Sequence, residues 1–148
     1  MPVKMGFACK LFRNSGVNYA SPTWLEVKIV KDVTLNLEDG EEDAATRGAG
    51  GWQQDEPGLR KAGLEFQIPL DTSDANYTAL RDAYLARAFL DLAALDGPAS
   101  GGNSQGLRAI MKIFKFSRGE PLNGVATVDV TIKPCYEVTN PPAWSTFT

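Results

Sequence analysis

The chain contains no histidine. That absence removes the commonest general base, the commonest metal ligand, and every Ser/His or Cys/His nucleophile pair. Carboxylates stand side by side at Glu41-Glu42-Asp43 and at Asp55-Glu56. Both groups border a Gly-rich stretch and have no partner residues in the sequence, so they read as solvated surface charge rather than an acid/base pair. Neither has the spaced ligands and Gly turn of a calcium loop. Gly97 to Gly106 lacks the lysine and the strand-turn-helix setting of a phosphate-binding loop. Ser15, Ser100 and Ser104 have no base to activate them. Cys9 and Cys135, near opposite ends, are either isolated thiols or a bridge tying the two terminal segments together; rarity of cytosolic disulfides favours the first. These residues point to no catalysis, no metal and no cofactor.

Charge narrows the function further. The 148 residues carry 15 basic and 18 acidic side chains, a net charge of -3. Lys and Arg are spread singly among acids, without the basic stripe that grips a phosphate backbone. Stable nucleic-acid binding is therefore not expected, while passing contact with DNA is compatible. A 43% hydrophobic and 22% charged composition is that of an ordinary globular domain. No apolar run reaches the ~18 residues of a membrane span, and none resembles a signal peptide. A soluble protein made in the cytoplasm is expected.

The elements that would position these groups follow from periodicity. Met1 to Pro22 has no clear period and reads as an N-terminal arm. Trp24 to Val30 and Asp32 to Glu38 alternate apolar and polar residues, the two-residue period of half-buried strands. Asp39 to Lys61 is rich in Gly, acid and Gln, with Trp52 and Leu59 as its large apolar residues, and reads as a long loop. Such loops inside a compact domain tend to be functional. Leu64, Phe66, Ile68 and Leu70 mark a third strand, with Pro69 at an edge or bulge. Asp71 to Asp74 offers helix caps before an amphipathic helix over Ala75 to Arg87, with Tyr77, Leu80, Tyr84 and Ala88 at helical spacing. Ala88 to Leu95 reads as a strand and Asp96 to Gly106 as a loop. Leu107 to Ser117 and Gly124 to Lys133 form a hairpin. The break in alternation at Ile113-Phe114 predicts a bulge or burial on both faces. The expected layout is an arm over 1–22, a core over 23–134 and a C-terminal arm over 135–148. The fold class is mainly β, a sandwich or barrel of about six to eight strands with one flanking helix, long loops and extended terminal arms.

The order of these pieces resembles the tail tube (major tail) proteins of bacteriophages. The acidic, Gly-rich loop with Thr46-Arg47 and Trp52, the start Val30-Lys-Asp-Val-Thr-Leu35 and the finish Val130-Thr-Ile-Lys-Pro134 carry the resemblance, which spans about residues 20 to 135. It implies a structural virion protein, not an enzyme. Six copies would form a ring whose sheets join edge to edge, and rings would stack into a hollow conduit for DNA ejection. Tube proteins of type VI secretion and contractile injection systems share that fold. The implied partners are further copies of the chain, tail tip or baseplate, tape measure and tail terminator proteins. DNA would transit without stable binding, and no membrane is involved. The location would be the virion tail, after synthesis in the host bacterial cytoplasm.

Under that resemblance, Arg47, Trp52, Gln53, Gln54 and Asp55 are candidates for contacts between rings or subunits, with Trp52 as anchor. Phe7, Phe12, Trp144 and Phe147 are candidate arm contacts. Thr34, Asn36, Glu38, Thr127, Asp129 and Thr131 are candidates for the lumen wall, where an acidic, hydroxyl-rich surface would let phosphate slide. Ordinary solvated strand faces would show the same pattern. Two other readings stay open: a secretion or injection-system tube, and a small β-sandwich binding module. The module predicts a monomer with an aromatic-lined groove, where a tube protein predicts rings and polymers.

Overall fold

The computed structural model describes residues 3–16, 18–135 and 139–148. The outermost residues of the expected N-terminal arm and residues 136–138 of the C-terminal one lie outside these ranges. The described residues form eight strands: β1 (Lys10–Asn14), β2 (Trp24–Glu26), β3 (Lys31–Asp43), β4 (Asp55–Pro69), β5 (Leu90–Leu95), β6 (Ser104–Gly119), β7 (Thr127–Pro134) and β8 (Ala143–Phe147). One helix, α1 (Ala75–Ala86), joins β4 to β5. All strands belong to one antiparallel sheet in the order β2-β1-β5-β6-β7-β4-β3, with β8 added beside β6. The sheet does not close on itself.

The main core is what the alternation requires. β4 and β7 pair Leu64 with Ile132, Phe66 with Val130 and Ile68 with Val128, so all six side chains share one face and all are buried. Helix α1 lays Tyr77, Leu80 and Ala83 on that face, with Leu92, Ala109, Met111 and Ile113 alongside. Each buried Leu, Ile, Val, Met or Phe among them contributes about 1.5–3 kcal/mol by leaving water. Asp74 caps the helix, its Oδ1 accepting from the backbone N–H groups of Asn76 (2.8 Å) and Tyr77 (3.2 Å). Arg87, at φ 54°, turns the chain out of the helix.

Four segments depart from the expected layout. Lys10–Asn14 is a strand between β2 and β5 rather than part of an arm. Its adjacent apolar residues serve opposite faces: Leu11 joins the main core, and Phe12 joins a second cluster with Ala93 and Leu95, flanked by Trp24 and Phe147. A strand buried on both faces shows no alternation, which hides it in the sequence. The strand expected over Trp24–Val30 is only three residues long, and its Leu25 is exposed while Val27 is buried. The segment expected as a loop over Asp39–Lys61 is mostly strand, because β3 and β4 stay paired as far as Asp43 and Asp55. Only residues 44–54 connect them. The C-terminal tail returns to the sheet as β8, and Phe147 meets the Trp24 ring edge-on at 5.4 Å.

Beneath this second cluster, Arg108 fastens the segment before β2. Its Nη2 donates to Asp91 Oδ2 (2.7 Å) and to the Tyr19 carbonyl (2.8 Å), and its guanidinium lies 3.6 Å from the Tyr19 ring centroid. At Gly106 the sheet has no room for a side chain, since a Cβ there would run into the Ala94 carbonyl. Cys9 is exposed and Cys135 half-buried, and the two are not bridged.

Candidate assembly surface

Strands β3, β4, β7 and the second half of β6 form a four-stranded unit with one face on the helix-covered core and one bare face. Registers set the bare face residue by residue, because directly opposed residues of antiparallel strands point the same way. Thr34 faces Glu65, Glu65 faces Thr131, and Thr131 faces Lys115. One row along, Gln67 faces Asp129, which faces Ser117, and Gln67 Nε2 donates to Asp129 Oδ1 at 3.0 Å.

Both edges of this unit are unpaired among the described residues. β3 is the terminal strand of the sheet, bonded only to β4. β5 ends its pairing with β6 at Leu90 opposite Met111, so Lys112 to Gly119 pairs with β7 alone. Unpaired strand edges are templates for another chain.

The β3–β4 ribbon extends far past the core. β7 pairs with β4 only from Leu64 to Pro69, so among the described residues Asp55 to Gly63 is hydrogen-bonded to β3 alone. Along this extension Leu37 is 48%, Leu59 86% and, at the tip, Trp52 77% exposed. Arg60 Nε donates to Asp39 Oδ1 at 2.8 Å; that bond, helped by the guanidinium's charge, holds the Asp39 carboxyl below the usual carboxylate range. Nearer the tip, Glu42 lies opposite Glu56 and Asp43 opposite Asp55. Like charges set face to face weaken the ladder.

No protein-family model and no curated protein matches the chain. Solved structures do. A chain of the SPP1 tail tube superposes with a TM-score of 0.72 at 13% identity, over 97% of this chain and 80% of that one. A chain from the tail of an empty gene transfer agent particle, refined with C6 symmetry, gives 0.66 at 12%, over 99% and 100%. The PVC sheath–tube complex, an extracellular contractile injection system in its extended state, gives 0.65 at 6%, over 97% and 92%.

The chain has a tail-tube fold.

On this tail-tube fold the candidate residues separate into groups. Thr34, Asn36, Glu38, Thr127, Asp129 and Thr131 all lie on the bare face. That face is not the acidic wall anticipated, because Lys61, Lys115 and Lys133 share it with Glu38, Glu65 and Asp129. Arg47, Trp52, Gln53, Gln54 and Asp55 are gathered at the ribbon tip, all exposed. Gln53 Nε2 donates to Asp55 Oδ1 at 3.2 Å. The arm residues divide. Phe7 is 86% exposed, whereas Phe12 is buried within its own subunit and is no arm contact. Phe147 packs on Trp24 in the same chain, and Trp144 is exposed with its Nε1 donating to Gln105 Oε1 at 3.0 Å.

Sequence reasoning missed Leu37 and Leu59 as exposed apolar positions on a projecting ribbon. Leu37 lies in the alternating Asp32–Glu38 segment, and only the length of β3 and β4 reveals that it stands beyond the buried core, 48% exposed. Among the described residues, no group of three or more Cys, Asp or Glu is arranged to hold a metal, and no helix is long and apolar enough to cross a membrane.

Proposed function

We propose that this chain is the structural, non-enzymatic subunit of a phage-type tail tube, polymerising as stacked hexameric rings that form a conduit for DNA ejection. The observation that carries the reading is the superposition on a C6-symmetric tail over essentially the full length of both chains. The geometry supports it. The outer edge of β3 and the unpaired edge at Lys112 to Gly119 in β6 lie at opposite sides of one four-stranded unit, so a copy's β3 can pair with its neighbour's β6. Closing such a ring removes the exposed edges, as full closure does in other barrels. The bare polar face then lines the lumen, helix α1 lies outside, and the β3–β4 ribbon reaches along the axis toward the next ring. Tail tip or baseplate, tape measure and terminator proteins are the further partners of such a tube, and the virion tail is its location.

Negative-stain electron microscopy of the concentrated protein, with and without a tail-tip initiator, tests this. Rings and hollow rods are expected; persistently monodisperse small particles overturn it. The PVC likeness favours a second reading, the tube of a contractile injection system. Neighbouring genes separate the two: a tape measure and terminase on one side, a contractile sheath and an ATPase on the other.

A further inference from the structure

The two free edges of the four-stranded unit carry opposite charge. On one side, β3 and β4 together hold nine carboxylates against three basic groups, and six of the nine lie on the outer strand β3. On the other side, Lys112 to Gly119 of β6 holds Lys112, Lys115 and Arg118 and no carboxylate, while its partner β7 adds Lys133 against Asp129. Little of this charge is neutralised inside the subunit. Among the described residues, Asp39 is the one β3 acid in an ion pair, with Arg60; Lys112 and Lys115 are in none, and Arg118 pairs with Glu120 at the end of the strand. Glu38 has Lys61 opposite it, but Glu42 and Asp43 have Glu56 and Asp55, and Lys112 has Lys133. Apolar groups flank both edges on the core side. Val33 and Leu37 share the face of Leu35 and are 39% and 48% exposed. Phe116, in the free part of β6, carries the Tyr84 ring stacked on it at 5.8 Å, and Tyr84 is 37% exposed.

We infer that this opposition of charge selects the partner at the seam between copies: the acidic β3 edge takes the basic Lys112–Gly119 edge of a second copy and rejects another β3. The inference rests on the proposed tube reading and adds to it what decides which edges meet. β6, β7, β4 and β3 alternate in direction, so β3 of one copy meets β6 of a copy rotated about an axis along the strands in the antiparallel sense. Two β3 edges side by side would set acid against acid, and two β6 edges base against base, both unfavourable. Such two-fold pairings would also stop at a dimer, whereas a β3-to-β6 contact leaves one edge of each kind free for the next copy. Within one copy Thr34 is level with Lys115. Closing a barrel staggers its strands, and a stagger toward the ribbon sets Glu38 and the acids after it beside the neighbour's lysines. Exposed charge pairs add little strength. They choose the partner and speed its approach, while the ladder and the apolar flanks hold it.

The test follows assembly of the full chain by light scattering and electron microscopy, at equal concentrations, with circular dichroism confirming that each variant is folded. Wild-type assembly should slow about tenfold or more as salt rises from about 0.05 to about 0.5 M. Lys112→Glu/Lys115→Glu makes both edges acidic, and Glu38→Lys/Glu41→Lys/Glu42→Lys makes both basic. Each variant alone should assemble about tenfold or more slowly than wild type. Mixing the two in equal amounts should restore assembly, because each then supplies the edge the other lacks. All five substitutions in one chain should restore it too. Lys28→Glu, in the turn between β2 and β3, should assemble as wild type does. Rods that form at the same rate at every salt, reversed variants that assemble at the wild-type rate, or a mixture without rescue would each overturn the charged seam and leave the tube reading standing. A wild-type chain that forms neither rings nor rods at any salt overturns both.

Discussion

The two halves of the β3–β4 ribbon use the same backbone pairing and meet different fates. In the near half Leu64 and Ile68 are fully buried, with helix α1 and β7 closing over them. In the far half Leu59 stands in solvent, Leu37 is half exposed, and Glu42 and Glu56 are set opposite each other. The near half is held by side-chain burial, worth about 1.5–3 kcal/mol per large residue. The far half is held by its ladder and an exposed Arg60–Asp39 pair, and two-stranded ribbons without a packed face are marginal in water. The contrast teaches that burial within the subunit holds the near half, while the far half keeps apolar side chains that its own chain leaves exposed.

The contrast is broken most directly by truncation. Leu64→Ala should destabilise the subunit by about 2–5 kcal/mol, since it leaves a cavity in a core with no exposure. Leu59→Ala should change subunit stability by no more than about 0.5 kcal/mol. Urea unfolding followed by circular dichroism measures both, and equal effects would abolish the distinction. Next in size, Trp52→Ala should leave a folded monomer while impairing tube growth, because a Trp at an interface can contribute about 2 kcal/mol or more to association. Normal rods from this variant in electron micrographs would remove Trp52 from the interface.

Smaller effects sharpen the comparison. Asp74→Ala removes the acceptor of two backbone N–H groups at the start of α1 and should cost about 1 kcal/mol. It should speed hydrogen exchange in α1 and not at the ribbon tip; protection lost at the tip instead would mean that the two halves unfold together. Glu56→Lys, replacing a facing like-charge pair with an opposite pair, should raise protection of the tip amides by about 0.2–1 kcal/mol. No gain at low salt would show that the facing carboxylates do not strain the ladder.

Residues whose partners lie on one side were legible in the sequence. The alternation in Leu64–Ile68 and Val128–Ile132 identified strands and their buried face, and Asp74 identified the helix start. β1 was not, because Leu11 and Phe12 point to different clusters and leave no period to read. The far ribbon was not, because a strand with no buried face carries no apolar alternation, and its Gly and acid content reads as loop. The six candidate lumen residues were each named from local pattern, and pairing register alone placed them on a common face.

Composition and short-range spacing by themselves determined that the chain is mainly β with one capped helix, that it lacks histidine chemistry, and which strand faces are apolar. These are local matters, decided by side-chain type and a two-residue or 3.6-residue period. Tertiary structure alone decided that β3 and β6 leave edges free, that the ribbon outruns its core, and that Lys61, Lys112, Lys115 and Lys133 share one face. Those depend on register and on where a neighbouring strand stops, and both are set by contacts between residues far apart in the chain.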